Sequence, residues 1–255
     1  MAGYEKLTSA LQKLSKNLFD TKQECFIIGI SGGSGCGKTT LANSIVKKLG
    51  QKSITILSMD SYYKELSDED KALAHEGRFN FDHPSAIDSE LLLKHFTMLK
   101  EGKTIEVPVY DFVTHSRTAN TLKVGGVKVI IFEGIMTFCY QELLELMDVK
   151  IFVDTDAELR LSRRLLRDIR ERGRQVNDII RQYFTFVKPA YDSFIAPSKS
   201  RADIIVPFEE ANPVAIDLLV CAIDKLLIEH IRRRCSSVQS TDMTLLEEES
   251  VLATA

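Results

Sequence analysis

Short apolar runs alternate with amphipathic stretches along most of the chain. Runs rich in branched residues occur at 25–30 (CFIIGI), 54–58 (ITILS), 127–132 (VKVIIF), 149–153 (VKIFV) and 203–206 (DIIV). Their length and composition suit strands buried on both faces. Helical spacing of apolar positions predicts helices over 38–49, 88–100, 140–147, 156–172, 177–194 and 212–230. Such alternation argues for an α/β protein, a five-stranded parallel sheet with helices on both faces. Two segments break the rhythm. Residues 104–110 (TIEVPVY) and 118–124 (TANTLKV) alternate with a period of two and read as an antiparallel hairpin joined through Asp111 to Arg117. In parallel sheets ligands sit beyond the carboxyl ends of the strands, so polar residues there are the first candidates for chemistry.

The ends of the chain differ from its middle. Leu7, Leu11, Leu14 and Leu18 give residues 1–22 one apolar helical face. After Ile231, Arg232, Arg233 and Arg234 lead into Ser, Thr and a Glu247–Glu249 run with no aromatic residue. That composition predicts a disordered tail over 232–255. The organisation expected is therefore an amphipathic segment at 1–22, one folded domain over 23–231, and the tail. The net charge of −3 provides no global field for nucleic acid or a membrane surface. No apolar run has the length of a membrane span, and the N-terminus lacks the apolar centre of a signal peptide, so a cytoplasmic protein is expected. Five scattered cysteines, without paired spacing, indicate neither a disulfide framework nor a zinc site. Cys25, Cys139 and Cys221 read as small packed hydrophobes.

The strongest motif follows the first strand. Gly32-Gly33-Ser34-Gly35-Cys36-Gly37-Lys38-Thr39 fits G-x-x-x-x-G-K-[ST], the phosphate-binding P-loop, with a strand before it and a helix after it. Its glycines let successive N–H groups turn inward toward phosphate, and the helix N-terminus adds partial positive charge. Lys38 is expected on the β- and γ-phosphates and the Thr39 hydroxyl on Mg²⁺, with Thr40 closing the loop. Cys36 sits among N–H dipoles that can lower a thiol pKa, but it reads as inert filler before it reads as a redox thiol.

Other strands end in acids. Asp60 follows the 54–58 strand, where it can serve as a base for an attacking hydroxyl, help hold Mg²⁺, or cap the next helix. Glu133 ends the 127–132 strand, where a carboxylate orients water on a metal. The absence of D-x-x-G and N-K-x-D argues against a GTPase. Seven of the fourteen arginines fall between Arg160 and Arg174, offset only by Asp168 and Glu171. Forked, permanently charged donors at that density suit a transferring phosphoryl group, and the segment reads as a lid helix. FNFDHP (79–84) and YDFVTHSR (110–117) mix aromatics with hydrogen-bonding groups, as a site that stacks a planar base would.

GGSGCGKTT, MDSYY, FNFDHP, YDFVTHSR, FEGI, FVDTD, RLSRRLLRD, ERGR and QYFTFVKPAY stand in the order found in uridine-cytidine kinases, and the chain resembles that family over about residues 25–222. The resemblance implies a P-loop NTPase fold with a β-hairpin substrate insert and an arginine-rich lid. It implies transfer of the γ-phosphate of ATP or GTP to the 5′-hydroxyl of uridine or cytidine, as in pyrimidine salvage. By position, Asp60 matches the catalytic base, beside Tyr63. Asp82 and Arg164 match the ribose-binding pair, and Tyr110 and His115 match the readers of the base edge, with Phe81 and Phe112 around the ring. Arg174 and Gln182 match further nucleoside contacts. Arg167 and Arg172 match lid arginines near the phosphates, and Lys38, Thr39 and Glu133 match the phosphate and magnesium positions. The family further implies a homotetramer restrained by UTP and CTP. The chain departs from relatives at Gly35-Cys36 in the loop and at Ala211, where some carry an acid near the donor base. The alternatives are a kinase for another small hydroxyl compound, such as ribulose 5-phosphate, and a nucleotide-binding regulator that has lost catalysis.

Overall fold

A computed structural model describes residues 25–50, 54–208, 212–225 and 227–228. The amphipathic segment expected at 1–22 and the tail expected at 232–255 lie outside these residues. The sheet contains β1 (Phe26–Ser31), β2 (Ile54–Ser58), β5 (Val129–Gly134), β6 (Val149–Asp154) and β7 (Ile204–Pro207). All pairings are parallel, in the order β2-β5-β1-β6-β7. The five predicted strands are therefore present, within about two residues of their expected bounds.

The strands alternate between two cores. Phe26, Ile28 and Ile30 of β1 face one side, with Val129, Ile131, Ile151 and Val153. There they meet α1 (Lys38–Leu49) through Leu41 and Ile45, and a C-terminal helix over 213–225 through Ile216, Leu219 and Ile223. Ile27, Ile130, Phe132 and Phe152 face the other side, against Leu92, Phe96 and Leu99 of α3 (Ser89–Lys100). Each fully buried Ile, Leu or Phe contributes about 1.5–3 kcal/mol relative to exposure, and β1 is buried along its whole length. This places the loop after β1 at the centre of the sheet's carboxyl edge.

The hairpin is β3 (Ile105–Asp111) and β4 (Ser116–Val124), antiparallel as expected and with a tighter turn than the sequence suggested. An unforeseen helix, α2 (Asp68–His75), precedes the FNFDHP segment. Ser67 caps it by accepting the Asp70 N–H, and only Ala74 is buried, so it carries little apolar period to read. A short α4 (Gln141–Glu145) follows β5, and α5 (Ala157–Arg172) ends at Gly173 in the left-handed conformation. Next comes α6, which begins at Val176–Gln182 and runs on to Ser198 through two wider π turns, Tyr183–Val187 and Tyr191–Ile195. It outlasts the predicted 177–194 helix. Cys25 is buried and Cys139 half-buried, but Cys221 is exposed, contrary to expectation. The inward stripe of its helix is taken by Ile216, Leu219 and Ile223, which leaves Cys221 off that face.

At the end of the sheet opposite the loop after β1, Asp148 closes the strand entrances. Its Oδ2 accepts the Ile27 N–H at 2.7 Å and pairs with Lys100 Nζ at 2.6 Å, both side chains being about nine-tenths buried. Removing the Asp148 carboxylate takes a shared acceptor from a buried N–H and a buried ammonium. Asp148→Ala should lower the unfolding free energy by about 3–5 kcal/mol in urea titrations, and adding Lys100→Met should recover part of that loss.

Candidate active site

The loop from Gly32 to Gly37 is shaped by close approaches. Gly35 has φ 79°, and a Cβ there would lie 2.4 Å from the Arg160 carbonyl oxygen; Gly37 has φ 101°, and a Cβ would meet the Phe208 ring at 2.5 Å. Lys38 Nζ donates to the Gly32 and Gly33 carbonyls at 3.0 and 3.1 Å, so the loop curls around its own ammonium. From behind, the Thr155 hydroxyl is 3.0 Å from the Cys36 carbonyl, and Arg160 donates to the Thr155 carbonyl while lying 3.7 Å over the Tyr191 ring. Thr40 turns to solvent on the first turn of α1. Cys36 agrees with the inert-filler reading rather than with a lowered thiol pKa. Its side chain is fully buried, and burial pushes the thiol up despite the nearby Lys38.

One cavity joins this loop to the other predicted residues. It is lined by Lys38 and Thr39, by Asp60, Tyr63, Phe81 and Asp82, by the hairpin's Tyr110, Phe112 and His115, and by Glu133. Arg164, Arg167, Arg172, Arg174 and Gln182 complete it from α5, the turn after it and α6. The Thr39 hydroxyl donates to Glu133 at 3.1 Å. Asp60 is not a cap. Ser58 caps the turn Met59–Tyr62 by accepting the Asp60 N–H, which leaves the Asp60 carboxylate free to face the cavity. Burial pushes the Asp60 carboxyl above its ordinary range, opposed by Lys38, Arg172 and Arg167. Burial likewise raises Asp82, opposed first by Arg164, and Glu133, opposed first by Lys38.

The arginines are arranged by Asp168, which has no exposed surface. Arg167 contacts it at 2.8 Å, and Arg164, Arg172 and Arg174 each lie 3.6 Å away. Burial alone would raise Asp168, but the arginines outweigh it and hold the carboxyl low. Arg164 also donates to the Ser34 hydroxyl at 2.9 Å, tying α5 to the loop. Arg174 donates to Gln182 at 3.0 Å. Arg172 stands 4.9 Å over the Phe112 ring, a cation–π contact between lid and hairpin.

A bulge aims the hairpin's key side chain. Ile105 and Val107 face inward, and strict alternation would continue to Val109. The register shifts between Pro108 and Tyr110, so Val109 is exposed and Tyr110 turns in. Tyr110 and His115 are both buried, although a hairpin tip has little of its own to bury them with. They are covered by aromatic neighbours: Tyr63 lies 5.2 Å from Tyr110, and Phe81 stacks on His115 at 5.1 Å and 22°. His115 holds a left-handed φ of 51°, and burial lowers its pKa, helped by His75 and Arg174. Ile135 and Phe186 also line the cavity; they fall within FEGI and QYFTFVKPAY, but as apolar residues they carry no polar group that marks them as contacts in the sequence.

Because Gly37 combines a φ of 101° with a Cβ position 2.5 Å from the Phe208 ring, Gly37→Ala should weaken Mg·ADP binding about tenfold or more by calorimetry while leaving the fold intact. Retained affinity would mean the loop tolerates a side chain there.

Residues 27–215 match the family described as Phosphoribulokinase / Uridine kinase. The chain is 47% identical over 222 residues to uridine-cytidine kinase 2-B of Danio rerio, covering 84% of this chain and 85% of that protein. It is 50% identical over 204 residues to uridine-cytidine kinase B of Dictyostelium discoideum, covering 80% and 83%. The fold is similar to that of phosphoribulokinase from Rhodobacter spheroides, with a TM-score of 0.54 at 19% identity, covering 72% of this chain and 70% of that one. With a phosphate loop, an arginine lid and an acceptor hairpin meeting in one cavity, and with relatives of this similarity, the chain belongs to the phosphoribulokinase/uridine kinase family.

Proposed function

We propose that this protein is a uridine/cytidine kinase that transfers the γ-phosphate of ATP or GTP to the nucleoside 5′-hydroxyl, giving UMP or CMP. The observation that carries this reading is Tyr110. Its hydroxyl is buried without a protein partner, on a residue lining the same cavity as Asp60 and Lys38. An orphaned buried hydroxyl is costly and is satisfied by a ligand with matching polar groups. A planar pyrimidine placed between Tyr110 and His115, with Phe81 and Phe112 around it, supplies them. A neutral imidazole presents one lone pair and one N–H, so it can serve uracil or cytosine. Asp82 and Arg164 receive the ribose hydroxyls, with Arg174 and Gln182 beside them.

Asp60 then faces the 5′-hydroxyl and takes or orients its proton. Lys38 leaves the loop carbonyls for the transferring phosphoryl group. Arg167 and Arg172 meet the charge that develops on it, already held in place by Asp168. Thr39, Glu133 and Asp60 offer only oxygen, the hard donors that Mg²⁺ takes, and this set fits a metal held mainly by phosphates. Magnesium, when bound, neutralises phosphate charge. The family reading carries with it a cytoplasmic homotetramer restrained by UTP and CTP, acting in pyrimidine salvage.

ADP release from Mg·ATP should depend on uridine or cytidine, and Asp60→Asn should cut kcat by about 10²–10⁴-fold with little change in nucleoside binding. Release that ignores the nucleoside, or a mutant with near-normal turnover, would overturn the reading. The base must be ionised, and its pKa is raised. The acid limb of kcat/KM should therefore lie above the ordinary carboxylate range, activity falling as pH drops through it. A limb at or below the ordinary aspartate value would exclude Asp60 as the group reported.

A further inference from the structure

Arg117 closes the YDFVTHSR segment but does not line the cavity. It stands on β4 directly across from Tyr110. Its Nε donates to the Tyr63 carbonyl at 3.0 Å, and its guanidinium pairs with Asp88 Oδ2 at 3.0 Å. The two side chains are 16% and 27% exposed, so the pair is largely withdrawn from water. Asp88 is itself fixed. Its Oδ1 caps α3 by accepting the Leu91 N–H at 3.1 Å, and its own N–H donates to the Tyr62 carbonyl at 2.8 Å. One guanidinium therefore joins the hairpin, the turn that carries Asp60 and Tyr63, and the start of α3.

A two-stranded hairpin has marginal stability alone and takes its position from what it packs on. Ile105, Val107 and Val124 dock its base through apolar contact. Between that base and the tip, β4 is exposed over 118–123, and near the tip Arg117 supplies a directional tie. We infer that Arg117 is a positioning residue. Through the Tyr63 carbonyl and Asp88 it sets the spacing between the acceptor-facing Tyr110 and His115 and the turn bearing Asp60. It touches no reacting atom. Its kinetic consequence rests on the nucleoside kinase reading, whereas its effect on the hairpin does not.

Three variants test this in the full-length protein. Arg117→Met keeps the stem and loses the donors, Arg117→Lys keeps charge with a single donor group, and Asp88→Asn keeps the helix cap and loses charge. Arg117→Met should raise the KM for uridine about 10- to 100-fold, with kcat and the KM for Mg·ATP within about threefold. Arg117→Lys and Asp88→Asn should fall between it and wild type. In the nucleoside-free protein, amide exchange over 105–124 should quicken in Arg117→Met while β1 and β5 keep their protection. An unchanged uridine KM with unchanged hairpin exchange would overturn the latch. So would a rise in both KM values accompanied by a general loss of protection, the mark of a merely structural residue. If wild type turned over neither uridine nor cytidine, the functional reading would fall, and the exchange experiment would still decide the latch.

Discussion

The site depends on the charged inner face of α5. Arg160, Arg164 and Asp168 recur every four residues and are buried, whereas Leu166 and Ile169 on the same helix are exposed. This inverts the usual helix pattern, in which the apolar stripe turns inward. The inversion is sustained because each buried charge has an opposite charge or a carbonyl to meet. Arg160 and Arg164 hold the phosphate loop from behind, and Asp168 gathers guanidinium groups that would otherwise repel one another. Losing the carboxylate would leave the buried Arg164 and the partly buried Arg167, Arg172 and Arg174 without this counter-ion, a change that costs more than an exposed pair contributes.

The same arrangement links loop, lid and acceptor cavity in one electrostatic unit. Asp60, Asp82 and Glu133 are all pushed toward protonation by burial and pulled back by Lys38 or the arginines. On the proposed reading, a triphosphate would meet cations already held in fixed positions, so little reorganisation would remain for the chemical step. The hairpin's basic residues serve differently. Arg117 is engaged with Asp88 and Tyr63, and Lys123 is exposed on β4. The hairpin thus offers no free basic pair for a phosphorylated acceptor, which favours a neutral nucleoside over a sugar phosphate.

The sequence by itself determined the strand-loop-helix phosphate motif, the alternation that demands a parallel sheet, and the strands themselves, because buried parallel strands must be continuously apolar. It also marked the arginine run and the acids at the strand ends, because those residue types have few purely structural uses at such spacing. It missed α2, whose stability comes from a Ser67 cap more than from an apolar face. It left Asp60 between base and cap, misjudged Cys221, and said nothing of which neighbours would bury Tyr110 and His115.

Those points were decided by tertiary structure. Ser58 took the capping role and released Asp60, a matter of which neighbouring oxygen reaches an N–H. The register shift between Pro108 and Tyr110, where four steps along β4 oppose two along β3, accompanies a change of phase in β3 that a period-two reading of one strand cannot anticipate. Aromatic rings from Tyr63 and Phe81, distant in sequence, supplied the burial that a hairpin tip cannot supply alone. Periodicity reports the environment of one element at a time. The accessibility, charge state and direction of a side chain are fixed by what other elements bring against it.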